Sequence, residues 1–259
     1  NLIMRLWKLG HLNLPFLKAK SSEKTTSGHI IPVNQMVSAG RNFALPLLIL
    51  RPLIERASAV AIMNECICRR GQNCRAFPHD FGCLLLGAAV RELPGYLGRA
   101  VSREDALSHA QRALQIGLVP LVIHDAVDAW MWGLDFSKMM NVCFCCDCCC
   151  DVRRGVRSHT PGFFENIHRL PGLVVTVNDR CDGCGECLTA CLAGAIEIRD
   201  GRAIIGEECK GCGRCVSACP HEALALTLDS RIDTVGLVLD RYERRADVGK
   251  LGGTRESGP

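Results

Sequence analysis

The chain of 259 residues has few of the features that mark nucleic-acid-binding or membrane-spanning proteins. Aromatic residues make up only 5% of it, the net charge is +4, and the basic residues are scattered rather than gathered beside aromatic side chains. Its longest apolar stretch, residues 43–63, is interrupted by Arg51, Glu55 and Arg56, whereas a membrane span needs about 20 residues with almost no charges. We therefore expect a buried amphipathic helix in this stretch, no membrane span and no nucleic-acid partner.

Sequence motifs for nucleotides and organic cofactors are also absent. The chain contains no G-x4-G-K-[ST] loop, no H-E-x-x-H metalloprotease motif and no C-x3-C-x2-C motif of radical chemistry. It also lacks a G-x-G-x-x-G turn after a strand, so a dinucleotide or flavin site of the Rossmann type is not indicated. These absences leave the catalytic residues, if there are any, unknown.

Cysteine, by contrast, is abundant, with 18 residues. Many cysteines indicate either a disulfide framework in a secreted protein or thiolate metal ligands in a reducing compartment. Disulfide scaffolds are usually short chains behind a signal peptide, whereas this chain is long and its first 24 residues mix basic and apolar residues without a small-residue cleavage site. We therefore expect thiolate ligands and a cytoplasmic location.

Composition divides the chain into four zones and a connector. Residues 1–60 hold no cysteine and combine a polar linker, Ser21–Ser27, with the helix candidate; residues 61–151 hold ten cysteines and a helix that Ser102 would cap, ending near Gly117. After a basic connector at 152–171, residues 172–228 hold the other eight cysteines. Residues 229–259 show a helical apolar face followed by a Gly-rich, polar end, which predicts a C-terminal helix and a flexible tail.

The third zone contains a repeat with an offset of 28 residues. Its two C-x2-C-x2-C-x3-C runs are Cys181, Cys184, Cys187, Cys191 and Cys209, Cys212, Cys215, Cys219, with glycines at matching positions. Between the runs, the apolar segments Ile196–Ile198 and Ala203–Ile205 flank Asp200-Gly201, which is typical of a two-residue hairpin turn. The zone is therefore a duplicated structural unit.

The doubled run resembles the bacterial two-cluster ferredoxin domain, and the resemblance implies two 4Fe-4S clusters. In that family the fourth cysteine of each run binds the other cluster. The resemblance thus implies one cluster on Cys181, Cys184, Cys187 and Cys219, and the other on Cys209, Cys212, Cys215 and Cys191. One departure is that Leu192, rather than proline, follows the first run. A pair of zinc ribbons is the alternative, but zinc would use only two C-x2-C knuckles and would leave four cysteines without a role.

The cysteines of the second zone match no single metal motif. They are Cys66, Cys68, Cys74 and Cys83, followed by Cys143, Cys145, Cys146, Cys148, Cys149 and Cys150. Six cysteines within eight residues do not all face a core, because adjacent side chains point in different directions. We expect all ten to serve as metal ligands, in one or two further iron–sulfur clusters ahead of zinc. Disulfides between the two groups, or a cluster of free thiols, are the alternatives.

Residues 60–228 also resemble a family of uncharacterised 4Fe-4S dicluster proteins. That resemblance rests on a C-x-C-R element, Cys66–Arg69, and a C-x-C-C-x-C-C element, Cys143–Cys149, and it implies no particular reaction. The paired cysteines resemble those of heterodisulfide reductases as well, although the glycine of that family's pattern is missing. His79, between two cysteines, would be a ligand or proton donor, or simply a structural histidine, and we favour the structural role.

These observations predict an α+β protein. A ferredoxin-type domain with two short hairpins and two short helices would follow a mainly helical cysteine-rich domain. The expected function is iron–sulfur electron transfer with redox protein partners, as a carrier or as an electron-wiring subunit of an anaerobic redox complex. The alternative is a reductase, an oxidoreductase whose special cluster in the cysteine-rich domain binds substrate.

Overall fold

The computed structural model describes residues 24–32, 45–160 and 163–249 of the chain. The strands are β1 (Thr26–Ile30), β2 (Val60–Met63), β3 (Leu84–Leu86), β4 (Gly98–Ala100), β5 (Val119–Asp125), β6 (Met140–Cys145), β7 (Ile167–His168), β8 (Leu173–Val177), β9 (Ile196–Arg199), β10 (Arg202–Ile205) and β11 (Leu224–Leu228). The α-helices are α1 (Leu45–Arg56), α2 (Ile67–Gly71), α3 (Arg103–Gln115), α4 (Ala126–Trp132), α5 (Asp151–Arg157), α6 (Phe163–Asn166), α7 (Glu186–Ala190), α8 (Arg214–Ala218) and α9 (Thr234–Glu243). Two short 3-10 helices, Ala88–Glu92 and Phe136–Lys138, precede β4 and β6.

The first seven strands form one sheet, in the order β4-β2-β3-β6-β5-β1-β7. Neighbouring strands are antiparallel except β1 and β7, which are parallel. Strand β6 lies at the centre, between β3 and β5. This sheet, with the helices that pack on it, is called the sheet domain below.

The two faces of the sheet bury different side chains. Because successive residues of a strand point to opposite faces, Val142 and Phe144 of β6 join the core that includes α1, α3 and α9. Cys143 and Cys145 of the same strand point the other way. The cysteines of β6 therefore lie on the face of the sheet opposite the three longest helices of the described residues.

Helix α3 follows the sequence expectation closely. The hydroxyl of Ser102 accepts the N–H of Asp105 at 3.0 Å, and the helix ends before Gly117, whose φ is +85°. Its His109 bonds the carbonyl of Gly82 at 2.9 Å and packs edge-on against Phe144, so the helix fastens the loop before β3 to β6. The predicted cap and helix are confirmed.

The expectation of a mainly helical cysteine-rich domain was wrong. Residues 61–151 are organised around the sheet, and five of its strands pass through them. The misleading segments are short, buried on both faces and without alternation of apolar and polar residues, as in Leu84–Leu86 and Val119–Asp125. Runs of this kind do not distinguish a buried strand from a buried helix.

The predicted helix in the apolar stretch is confirmed only in part. Residues Leu45–Arg56 form α1, but Val60–Met63 form strand β2, with all four residues buried. None of the helices among the described residues is long and apolar enough to cross a membrane.

The sheet domain also includes residues from outside the cysteine-rich zone. Strand β1 falls in the segment expected to be a polar linker, yet Thr26 and Ser27 are buried and bonded to Asp125 and Arg241. Helix α9, predicted from residues 229–259, packs with α1 against the same core, while the predicted flexible tail beyond residue 249 lies outside the described residues. Described residues on both sides of the boundary expected at residue 60 thus belong to one unit.

The cysteine repeat forms a smaller unit with internal symmetry. Helices α7 and α8 occupy matching positions 28 residues apart, and each follows a glycine, Gly185 or Gly213, with φ near +80°. Strands β9 and β10 pair around Asp200 and Gly201, whose φ angles of +51° and +71° suit a tight hairpin turn, so this hairpin is confirmed. The second pair is not a hairpin as expected, because β8 pairs with the distant β11 and closes the unit end to end.

Candidate cofactor and metal centres

The repeat unit brings its cysteines together in two groups drawn from both runs. The first group lines a small pocket and consists of Cys181, Cys184, Cys187 and Cys219. The last of these comes from the second run, so the pocket holds the combination that the ferredoxin resemblance implied. Its walls include Ile198 and Leu224, which keep one side of the pocket apolar.

The second group is formed by Cys209, Cys212, Cys215 and Cys191. Burial and, to a smaller extent, the neighbouring thiols of Cys212, Cys209 and Cys191 raise the pKa of Cys215 to about 12. The pKa of Cys212 is raised for the same reasons. Four crowded thiols of this kind favour a bound cation or metal cluster, because a positive centre removes the repulsion between the thiolates.

Backbone N–H groups approach the sulfurs at equivalent positions of the two halves. Ala195 donates to Cys191 at 3.2 Å, and 28 residues later Ala223 donates to Cys219 at 3.3 Å. Such bonds stabilise thiolates, and in iron–sulfur proteins they help to set the reduction potential. The donors, the spacing and the apolar walls fit two 4Fe-4S clusters.

The two groups differ in their surroundings. Cys184 of the first group is exposed, whereas Cys191 and Cys212 of the second group pack against a buried cluster that includes Cys145 and Cys150 of the sheet domain. The first group is therefore the outer group and the second is the inner group. The inner group lies next to the cysteines of the sheet domain.

The ten cysteines of the sheet domain fall into two separate sets. One set, the four-cysteine group, consists of Cys74, Cys146, Cys148 and Cys149, whose sulfurs all lie within 4.8 Å of one another. The other set lines a cavity of about 50 Å³ on the face of the sheet that carries Cys143 and Cys145. This cysteine cavity is lined by Cys66, Cys68, Cys83, Cys143, Cys145 and Cys150, and Cys146 borders it as well. None of the 18 cysteines, all of which lie in the described residues, forms a disulfide.

The cavity cysteines come from segments far apart in the sequence. The sulfurs of Cys83 and Cys143 are 3.3 Å apart, and those of Cys145 and Cys150 are 3.1 Å apart. A hydrogen bond from Cys68, together with the charge of Arg69, lowers the pKa of Cys66 to about 6, although burial opposes the shift. One thiol of the cavity is thus prepared to act as a thiolate ligand.

Two carboxyl groups complete the cavity wall, that of the buried Asp125 and that of the half-buried Asp128. Asp125 caps helix α4 and accepts the hydroxyl of Thr26 at 2.6 Å, while Asp128 accepts a hydrogen bond from Asn141. Burial raises the pKa of both carboxyls, and the charge of Asp125 raises that of Asp128 further. The cavity therefore combines thiols with acids that hold their protons more strongly than usual.

The contacts of Arg69, the arginine of the C-x-C-R element, give it a structural role. Its side chain is completely buried and donates to the carbonyls of Pro78 at 2.8 Å, of Phe144 at 2.7 Å and of Phe81. The guanidinium therefore joins the loop that carries Cys74 to strand β6. It also places a permanent positive charge beside the thiols of both sets.

A second arginine lies between the cavity and the inner group. Arg153, which is 1% exposed, forms an ion pair with Asp147, and Asp147 also pairs with Arg214 of helix α8. The hydrogen bond with Cys145 lowers the pKa of Cys150, and the charge of Arg153 acts in the same direction. The same charge opposes the raised pKa of Cys145, which is due mainly to its bond with Cys150 and to burial, and that of Cys212, which is due mainly to burial. The bridge ties the sheet domain to the repeat unit.

The sequence did not identify several members of these sites. Arg69 was noted only as part of a motif, and Asp125, Asp128 and Arg153 carried no sequence signal, because isolated charged residues are usually solvent-exposed. His79 bonds the carbonyl of Cys74 at 2.9 Å, the structural role that we favoured.

Comparison with known proteins identifies the repeat unit. Residues 180–223 match a family model described as a 4Fe-4S dicluster domain. No curated protein and no solved structure matches the chain. The chain therefore contains a ferredoxin-type dicluster domain, and multiple iron–sulfur clusters are its cofactors.

Proposed function

We propose that this chain is an iron–sulfur electron-transfer protein that connects its dicluster domain to the cysteine cavity, as an electron-wiring subunit of an anaerobic redox complex. The dicluster domain, together with so many cysteines, supports iron–sulfur electron transfer in general. The observation that carries the finer proposal is the contact between the inner group and the cavity. Cys191 and Cys212 share one buried cluster with Cys145 and Cys150.

The proposal assigns ligands to each centre. The outer cluster would be held by Cys181, Cys184, Cys187 and Cys219, and the inner cluster by Cys209, Cys212, Cys215 and Cys191. A further cluster would use four of the six thiols of the cysteine cavity. When bound, these clusters supply one-electron redox chemistry at low potential.

The surroundings of the three centres support electron flow from the outer cluster at the surface to the cavity in the interior. Cys184 and the charged residues near it, such as Asp182 and His221, are exposed and would meet a redox protein partner. No cysteine of the inner group or of the cavity is exposed, and Arg153 and Arg69 lie beside their thiolates. Fixed positive charge near a thiolate centre stabilises its reduced, more negative form.

Anaerobic reductive titration of the full chain tests this proposal. A dicluster domain alone accepts about two electrons, and a redox-active cluster in the cavity raises the number to about three. Because the cavity adjoins the inner group, electron paramagnetic resonance of the fully reduced chain should show magnetic interaction between these two centres.

Two variants make the titration specific. Cys150→Ser removes a cavity thiol, so it should lower the number of electrons accepted by one and abolish the magnetic interaction. Ser137→Ala, which changes an exposed residue, serves as the control. A count of two in the unaltered chain, with a spectrum unchanged by Cys150→Ser, would contradict the proposal.

A second candidate function rests on the composition of the cavity. Six thiols exceed the four that a cubane cluster needs, and Asp125 and Asp128 place two carboxyl groups beside them. Such a site favours a reductase in which a proton donor adjoins a cluster with an open coordination position. A spectral change of the cavity centre on adding a small disulfide or other reducible substrate would favour the reductase, and rapid reduction without such a response would favour the carrier.

The proposed role of the cysteines as metal ligands bears on location. Thiols that serve as ligands must stay reduced, and a reducing compartment maintains them. We therefore propose a cytoplasmic location, which fractionation of cells that express the tagged chain would test.

A further inference from the structure

We propose that Cys74, Cys146, Cys148 and Cys149 bind a single tetrahedral metal ion, zinc, rather than an iron–sulfur cluster. This four-cysteine group is independent of the electron-transfer proposal, which uses the cysteine cavity and the dicluster domain. It would be a structural site, because all four ligand positions are filled by protein thiolates.

The distances between the sulfurs carry the proposal. All four lie within 4.8 Å of one another, and those of Cys74 and Cys148 are 3.6 Å apart. A zinc–sulfur bond of about 2.3 Å places the sulfurs of a tetrahedral site about 3.8 Å apart. The thiolates of a cubane bind four different irons at four different corners and point away from one another, so they are further apart. The four-cysteine group is compact enough for one ion.

The dicluster domain provides an internal comparison. Among the residues that the structure describes, neither of its two four-cysteine groups meets the same 4.8 Å condition. Both are more open, as expected for thiolates arranged around a larger cluster. Within this one chain, the sulfurs of the four-cysteine group are therefore closer together than those of the sites that fit 4Fe-4S clusters.

Backbone N–H groups support the same conclusion. Those of Phe77 and Ala76 lie near the sulfur of Cys74, and that of Cys149 lies near the sulfur of Cys146. Donors two and three residues after a ligand cysteine indicate a tight turn around a bound metal, with the N–H groups offsetting the charge of the thiolates. These N–H groups belong to the same short segments as the cysteines and do not depend on the cavity.

The position of the group explains what the ion would do. Cys74 follows helix α2, and the other three follow strand β6, so the ion would join two segments that Arg69 joins nearby. Three of the cysteines are buried and Cys148 is exposed, which leaves one side open for loading. Among divalent ions of the first transition row, zinc binds such a site more tightly than iron does, and tetrahedral S4 coordination suits it.

Metal analysis of the anaerobically purified full chain tests the proposal. We expect about one zinc per chain, and X-ray absorption at the zinc edge should show four sulfurs at about 2.3 Å. This measurement needs no variant, so it does not depend on a mutant that folds. Absence of zinc, or one iron in the same S4 geometry, would overturn the assignment.

Three variants locate the ion. Cys148→Ser should lose the zinc and keep the iron content, whereas Cys148→His should retain zinc because Cys3His is also a zinc donor set. Cys150→Ser, two residues away but in the cavity, should keep the zinc. Loss of several irons from Cys148→Ser would show that the group belongs to a cluster and would refute the proposal.

Discussion

Replacement of Arg69 by methionine provides a sharp test of how the sheet domain is held together. The guanidinium is 0% exposed and donates to three backbone carbonyls, those of Pro78, Phe81 and Phe144. Methionine keeps much of the volume but leaves these carbonyls without a donor. Each lost bond of this kind costs about 1–2 kcal/mol, so the free energy of unfolding should fall by about 3–6 kcal/mol.

The expected loss is measurable by anaerobic thermal unfolding. For a protein of this size, 1 kcal/mol corresponds to about 2–4 °C, so the unfolding midpoint of Arg69→Met should fall by about 6–24 °C at a fixed scan rate. Metal analysis of the same samples should show loss of zinc, because the loop with Cys74 would no longer be held to β6.

The neighbouring arginine supplies a matched control. Arg70 is in the same helix, but its side chain is 65% exposed and it pairs only with the exposed Glu65, so Arg70→Met should cost about 0–1 kcal/mol. Arg69→Lys keeps the charge but not the fork of donors, and it should recover only part of the stability. If Arg69→Met and Arg70→Met unfold at the same temperature, the three hydrogen bonds do not stabilise the domain and the reasoning is refuted.

Three further predictions concern the clusters and their loops. Cys191→Ser should perturb the magnetic resonance signal of the inner cluster and spare that of the outer one; damage confined to the outer cluster would contradict the crossed assignment. Iron and sulfide analysis should give about 12 of each per chain, and a value near 8 would leave the cavity without a cluster. Gly183→Ala should destabilise the outer cluster, since φ is +75° and a Cβ would lie 2.8 Å from the Gly201 backbone, whereas Gly206→Ala, with only a 3.5 Å contact, should not.

The dicluster domain could be predicted from the sequence because its information is local. Three cysteines of each run lie within seven residues. The repeat, the glycines and the turn at Asp200 and Gly201 can also be recognised directly from the order of residues. The capped helix after Ser102 was predictable for the same reason. Short-range spacing and turn chemistry determine such features with little help from the rest of the chain.

The sheet of the sheet domain could not be predicted in this way. Apart from the edge strand β4, its strands are short and largely buried on both faces. Strand β1 consists largely of residues whose polar groups find partners only after folding, as Thr26 does with Asp125. A pattern of apolar and polar residues distinguishes strand from helix only where one face meets water. Here both faces are covered.

The sequence by itself predicted that the ten cysteines before the dicluster domain serve as ligands, but only the tertiary structure divided them into two sets. Cys145 and Cys146 are neighbours in the chain, yet the sulfur of Cys145 lies in the cavity and that of Cys146 in the four-cysteine group. Cys145 is the last residue of β6 and points to one face, while Cys146 follows the strand end and turns to the other. The partners of each set come from a loop about 60–75 residues earlier, and pairing between β3 and β6 brings that loop to them. Spacing along the chain carries no information about which side of a strand a distant loop will meet.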